Sequence, residues 1–114
     1  MIEPTSLATR LLGECGWVKE LLSETTDGIS VGISELGPGD QLPSRIHQSV
    51  EVFYILSGTG KVRIGSETSP LRADVFTVVP PRVEHSVIND GKYPLRMLYF
   101  ILGEKSEQRE GKGE

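Results

Sequence analysis

The two histidines of the chain, His47 and His85, stand in two short motifs that can supply metal ligands. The motifs read Gly39-x5-Arg45-x-His47-x3-Glu51-x6-Gly58 and Pro80-x4-His85-x3-Asn89. Two imidazoles and one carboxylate are a ligand set that iron, manganese, nickel, zinc and copper sites use. The pattern predicts a site for one divalent transition metal, held by His47, Glu51 and His85. The alternative is a structural barrel in which these polar groups bind no ion.

Strand periodicity explains how residues from one motif can share a site. Successive side chains of a strand point to opposite faces, so the odd-numbered residues from 45 to 55 lie together if that segment is extended. This places His47 and Glu51 on one face, with Phe53 beside them as a predicted pocket wall and substrate contact. Asn89 has the same four-residue spacing from His85.

Arg45 occupies a position where a third histidine would complete the ligand set. A guanidinium cannot ligate a cation, and it stays charged at any relevant pH. Three interpretations remain open. Arg45 can bind a substrate carboxylate or phosphate through its two-pronged donor geometry, it can pair with Glu51 in a metal-free barrel, or it can lie on the surface. The first interpretation makes Arg45 the candidate catalytic and substrate-binding residue.

Short apolar segments between turn residues predict the elements that position these side chains. In the segment 29–36 isoleucine and valine alternate with serine and glycine, which is typical of a half-buried strand. The stretch from Gly65 to Pro70 is rich in turn residues, and Thr25-Thr26-Asp27-Gly28 predicts a hairpin turn. Such spacing indicates an all-β sandwich or barrel. Strands are predicted at 17–22, 29–36, 51–56, 61–64, 75–79, 85–88 and 95–102.

Length and composition limit the classes of function. A chain of 114 residues with 37% hydrophobic and 25% charged residues predicts one globular domain. The net charge of −4 argues against nucleic acid as a partner, and no apolar run approaches the length of about 20 residues that spans a membrane. The single cysteine, Cys15, and an N-terminus without signal-peptide features lead us to expect a cytoplasmic protein.

With both motifs in order on predicted strands, the segment from Ile29 to Phe100 resembles the cupin superfamily. The family motifs have the forms Gly-x5-His-x-His-x3/4-Glu-x6-Gly and Gly-x5-Pro-x-Gly-x2-His-x3-Asn. This sequence departs from them at Arg45, and at Asp74 and Arg82, which occupy two glycine positions. The resemblance implies a double-stranded β-helix, or jelly-roll barrel, often dimeric through exchange of N-terminal strands.

We therefore expect three regions along the chain. Residues 1–28 form an N-terminal arm or short helix and the first strand, residues 29–102 form the cupin barrel, and residues 103–114 form a disordered charged tail.

The resemblance also implies a function. Cupin relatives include dioxygenases, decarboxylases, isomerases, lyases and polyketide cyclases, so we expect a homodimeric, metal-dependent enzyme that acts on a small organic metabolite. His47, Glu51 and His85 would hold the ion, Arg45 would orient an anionic substrate, and Asn89 would lie next to the ligands and contact the substrate. The alternatives are a non-catalytic barrel that binds or senses a small molecule, and a structural protein with a vestigial motif.

Overall fold

The structure is a computed structural model, and it describes residues 10–11, 16–22 and 29–102. Every strand pairing in this part of the chain is antiparallel, and no helix there is long and apolar enough to cross a lipid bilayer. The all-β prediction is confirmed. The strands are β1 (Arg10–Leu11), β2 (Gly16–Leu22), β3 (Ser30–Leu36), β4 (Val50–Ser57), β5 (Thr59–Ile64), β6 (Glu67–Arg72), β7 (Phe76–Val79), β8 (His85–Ile88) and β9 (Leu95–Leu102).

The strands form a six-stranded sheet in the order β1-β2-β3-β9-β4-β7 and a three-stranded sheet in the order β6-β5-β8. Two isolated bridges, Gln41 to Ile88 and Arg45 to His85, lay the loop before β4 alongside β8. Both sheets contribute to one apolar core, which excludes water from the base of the barrel. Its buried members are Leu36, Phe53, Ile55, Val62, Leu71, Val79, Val87, Leu95 and Met97.

The alternation predicted for β4 determines which side chains face the barrel interior. Glu51, Phe53 and Ile55 are buried, whereas Val52 and Tyr54, which lie between them, are only half-buried. The buried face therefore carries one carboxylate at its start and apolar side chains beyond it. This arrangement puts Glu51 at the open end of the core.

In β3 the face that carries serine and glycine points into the barrel. Ser30 and Ser34 line an internal cavity, and Leu36, on the same face, belongs to the core. Small side chains on this face leave space inside the barrel. A Cβ on Gly32 would lie 2.4 Å from the hydroxyl of Tyr99, so the glycine makes room for that side chain.

The region predicted as turns between Gly65 and Pro70 contains a strand that the sequence did not reveal. The structure has β6 at Glu67–Arg72, paired with β5, and only Leu71 is buried in it. A strand with one buried side chain has no apolar alternation to detect. Proline is tolerated there because β6 is an edge strand, where the missing N–H breaks no bond within the sheet.

Two predicted features lie outside the described residues. These are the hairpin turn at 25–28 and the disordered tail at 103–114. The predicted N-terminal arm or helix lies mostly outside them as well. Its described part, β1, is extended and pairs with β2 of the same chain. β2 is a full member of the larger sheet, paired with β3.

The two non-glycine residues at glycine positions of the second motif both adopt the left-handed backbone conformation. Asp74 has a φ of 69° and Arg82 has a φ of 62°. Glycine favours these angles because it lacks a Cβ. The motif alignment therefore holds in three dimensions, and this chain carries local backbone strain where the family pattern has glycine.

Substitutions at Arg82 test this strain. We expect Arg82→Gly to be more stable than Arg82→Ala by about 1 kcal/mol, because alanine keeps the penalty for a positive φ and glycine does not. Arg82→Val should be less stable than Arg82→Ala, since a β-branched side chain fits this region worst. Alanine removes the side-chain contacts of arginine, so the comparison isolates the backbone. Urea denaturation measures the free energy of unfolding of each variant. An Arg82→Ala protein as stable as Arg82→Gly, or more stable, would contradict the prediction.

Candidate metal centre

Three predicted ligands converge at the open end of the core. The Nε2 atom of His47 and the Nε2 atom of His85 each lie 3.1 Å from Oε1 of Glu51. One potential ligand atom from each residue lies within 4.8 Å of the other two. His47 precedes β4, Glu51 belongs to β4 and His85 begins β8, so the cluster joins the two sheets.

Backbone contacts fix the loops that carry the histidines. The amide of Arg82 donates a hydrogen bond of 2.7 Å to the carbonyl of His47. The amides and carbonyls of Arg45 and His85 bond reciprocally at 2.9 Å. Each motif is thus held by a residue of the other, which explains how a loop and a strand far apart in sequence present imidazoles to the same point.

The carboxylate oxygen between the histidines is buried and accepts no hydrogen bond. Glu51 is 6% exposed, and its Oε1 atom has no hydrogen-bond partner although both Nε2 atoms are close. Each contact is a hydrogen bond only if that imidazole carries a proton on Nε2. A buried, unsatisfied oxygen is unfavourable unless another group satisfies it. Two nitrogens and one oxygen of this kind are suitable ligands for a divalent transition metal.

The pKa of Glu51 reflects the balance between burial and the two imidazoles. Burial raises the pKa, and the contacts with His47 and then His85 lower it. The pKa of Glu51 lies below its ordinary value as the net result. The carboxylate is therefore ionised at neutral pH, as a metal ligand must be.

The imidazole of His85 is oriented by its surroundings. Its Nδ1 atom lies 3.4 Å from the carbonyl of Val83, so a proton on Nδ1 leaves Nε2 free to coordinate. The ring centroid of Phe53 is 6.0 Å from that of His85, and the two histidine rings are 5.4 Å apart. Phe53 also lines the cavity beside the cluster.

A cavity of about 150 Å³ opens above the three ligands. One part of its wall is apolar and the other carries hydroxyls, the two histidines and Arg45. The sequence did not identify Tyr99 or the serines as lining residues, because alternation along a strand does not reveal which of its two faces is internal. The lining residues are Val18, Ser30, Ser34, Leu42, Pro43, Arg45, His47, Glu51, Phe53, His85, Ser86, Val87, Tyr99 and Ile101.

Arg45 lies on the rim of this cavity. Its bridge to His85 puts both side chains on the same face of the strand pair, and its own side chain is exposed. Within the described residues Arg45 makes no ion pair with Glu51, whose carboxylate contacts the two histidines instead. The structure therefore gives no support to the metal-free arrangement in which Arg45 neutralises Glu51.

Asn89 has a different role from the one we expected. It is fully buried, its amide nitrogen donates to the carbonyls of Leu36 and Tyr93, and its oxygen accepts from the amide of Gly91. Asn89 does not line the cavity, and these bonds leave it no free group for a substrate. Its side chain holds the turn after β8.

Three other polar side chains near the barrel lie outside the cavity lining. Gln41 donates to Ser86, Tyr54 donates to Asp74, and Arg63 donates to Ser44 and to the carbonyl of Gly65. These contacts give each of them a structural partner.

The family model described as "Cupin domain" matches residues 32–101, so the chain belongs to the cupin family. Among curated relatives, it is 30% identical over 90 residues to the polyketide synthase CurC of Streptomyces cyaneus, covering 75% of this chain and 58% of that protein. It is 36% identical over 69 residues to the dimethylsulfoniopropionate lyase DddW of Ruegeria pomeroyi, covering 60% and 45%. The chain thus spans about half the length of these relatives.

Solved structures agree with the predicted double-stranded β-helix. A predicted oxalate decarboxylase of Thermotoga maritima superposes with a TM-score of 0.83 at 20% identity, covering 90% of this chain and 97% of that one. The polyketide cyclase RemF of Streptomyces resistomycificus gives a TM-score of 0.77 at 16% identity, covering 91% and 79%. At these identities the likeness establishes the fold alone.

Arg45→His tests whether position 45 faces the ligands. A third imidazole beside His85 should raise the affinity for Zn(II) about tenfold or more, because each added nitrogen ligand strengthens binding. Competition against a chromophoric chelator measures the affinity, with Arg45→Gln as the control for loss of the positive charge. Equal affinities for the histidine and glutamine variants would show that position 45 does not reach the ion.

Proposed function

We propose that this cupin is a metal-dependent enzyme that acts on a small organic metabolite. The observation that carries the proposal is the buried Oε1 atom of Glu51, which lies 3.1 Å from two imidazole nitrogens without accepting a hydrogen bond. With the imidazole protons on Nδ1, that oxygen lacks a donor, and a cation would satisfy it together with both Nε2 atoms. Iron, manganese, nickel, zinc and copper all suit the ligand set.

His47, Glu51 and His85 would hold the proposed ion, and a bound divalent ion would supply Lewis acidity to a substrate oxygen. Glu51 and the two histidines face the cavity, so a substrate reaches the open side without displacing a protein ligand.

The cavity walls limit what can bind. Phe53, Leu42, Val18 and Ile101 provide apolar surface, and the volume of about 150 Å³ admits a small molecule. Apolar walls also lower the number of water molecules around the reacting groups, which strengthens electrostatic interactions there. The hydroxyl of Tyr99, on the same wall, is the candidate for hydrogen bonding to the substrate.

The relatives support a lyase, decarboxylase or cyclase type of reaction within this class. DddW is named a dimethylsulfoniopropionate lyase, the Thermotoga maritima structure is a predicted oxalate decarboxylase, and RemF is a polyketide cyclase. Dioxygenase and isomerase chemistry remains within the proposal because the ligand set suits redox-active ions as well.

The second candidate function is a non-catalytic barrel that binds a small molecule. It is favoured by one observation, the arginine in place of a third histidine. Retention of metal together with an absence of turnover across a panel of small acids and sugars would favour this candidate over the enzyme.

Glu51→Gln tests the metal site. Glutamine keeps the shape of the side chain and removes its charge, so we expect metal content to fall from near one ion per chain to below about a tenth, given the 10–100-fold effects of lesser changes around metal sites. Elemental analysis of anaerobically purified protein, after supply of Fe(II), Mn(II), Ni(II) or Zn(II), measures the ratio.

Glu84→Gln is the matched control for this experiment. Glu84 is exposed and next to His85 in sequence, yet it does not line the cavity. It should retain the wild-type metal content. Wild-type protein that takes up none of the four ions would overturn the proposal.

We propose further that the protein is a cytoplasmic homodimer. The supporting feature is the outer face of the larger sheet, where apolar side chains of β4, β7 and β9 are paired across strands. Phe76 and Val78 are 61% and 49% exposed. A sheet that is apolar on both faces is typical of one that is covered on both sides. The paired outer residues are Val52, Tyr54, Phe76, Val78, Leu98 and Phe100.

Val78→Lys should weaken the dimer. A buried, unpaired ammonium at an apolar interface is strongly unfavourable, so we expect the dissociation constant to rise about tenfold or more. Sedimentation velocity over a range of concentrations measures it. Thr68→Lys, on the exposed β6 of the other sheet, adds the same charge away from this face and should leave association unchanged. A wild-type chain that sediments as a monomer would contradict the prediction.

A further inference from the structure

We infer that the ligand of this cavity carries a carboxylate, and that Arg45 binds it beside the metal. The inference rests on the proposed metal site and narrows its substrate class to small organic acids.

Position is the first argument. Arg45 lies on the rim of the cavity, and its reciprocal backbone bonds with His85 fix its Cα next to a proposed ligand. Its side chain is exposed and makes no ion pair within the described residues. By contrast, Arg63 uses its guanidinium on Ser44 and on the carbonyl of Gly65 and does not line the cavity. Arg45 is therefore the arginine placed to meet a ligand.

Charge is the second argument. Arg45 and Glu51 carry the permanent charges among the lining residues, and histidines that coordinate a metal are neutral. A divalent ion, one carboxylate and one guanidinium leave a net positive charge in a partly apolar cavity. An anionic ligand neutralises this excess, and it can contact both the ion and the guanidinium.

Shape is the third argument. A guanidinium presents parallel N–H donors that match the two oxygens of a carboxylate. The apolar part of the lining, with Phe53, Ile101 and Val18, suits the hydrocarbon part of the same molecule. A cavity of about 150 Å³ with one arginine and an apolar wall fits a small organic acid.

Binding of a matched pair of probes tests the inference without relying on turnover. Isobutyrate and its neutral amide, isobutyramide, have nearly the same shape and differ in charge. Each is titrated into Zn(II)-loaded protein at constant ionic strength and followed by two-dimensional amide NMR. Arg45→Gln should weaken isobutyrate binding about tenfold, as for loss of a charge-assisted hydrogen bond, and change isobutyramide binding by less than about twofold.

Two further variants serve as controls. Arg63→Gln removes the same charge from a neighbouring arginine outside the cavity, and it should leave both affinities within about twofold of wild type. Arg45→Lys keeps the charge and loses the two-pronged geometry, so its affinity for isobutyrate should fall between those of wild type and Arg45→Gln.

The outcomes separate this inference from the metal proposal. If Arg45→Gln binds isobutyrate as tightly as wild type, or loses both probes equally, the role of Arg45 is overturned, whatever the zinc content. If wild type takes up no zinc, but the metal-free protein binds isobutyrate and Arg45→Gln weakens that binding, the carboxylate site is supported and the metal site is overturned. Equal binding of acid and amide to wild type would overturn the carboxylate class.

Discussion

The site depends on a buried carboxylate placed between two imidazoles. Glu51 begins the internal face of β4, where every following internal residue is apolar, so its charge has little access to water. Burial opposes ionisation, and the two histidines more than offset it. The remaining unsatisfied oxygen is a position that a cation would stabilise. Because Glu51 belongs to the larger sheet and His85 to the smaller one, the contact between them joins the two sheets at the mouth of the barrel.

Much of the fold followed from the sequence because its signals are local. The alternation of buried side chains in β4 could be predicted, and so could the turn residues at the ends of most strands. β6 was missed because its first four residues are all exposed, so it shows no alternation, and because it contains Pro70. The sequence also did not reveal which face of β3 points into the barrel. Alternation identifies two faces, but it does not show that the serine face lines a cavity. Gly32 on that face makes room for Tyr99, its partner on the neighbouring strand β9.

The clustering of His47, Glu51 and His85 was predictable for a related reason, and the role of Asn89 was not. Spacing within each motif placed His47 near Glu51, and motif order placed His85 opposite them. The role of Asn89 depends on the backbone around it, since three hydrogen bonds to Leu36, Gly91 and Tyr93 engage its amide. Backbone carbonyls and amides carry no sequence signature. A polar residue next to a ligand can therefore be identified from sequence without its role being known.

Arg45 shows how one substitution can change a site without disturbing the fold. The backbone at position 45 still forms its bridge to His85, and the neighbouring His47 still meets Glu51. The chemistry at the cavity rim differs, because Arg45 puts a fixed positive charge where the family motif has a neutral histidine. An ion held by the remaining three ligands would have more open positions and a stronger local positive field than one held by four. Both effects favour a ligand that is anionic and binds through oxygen.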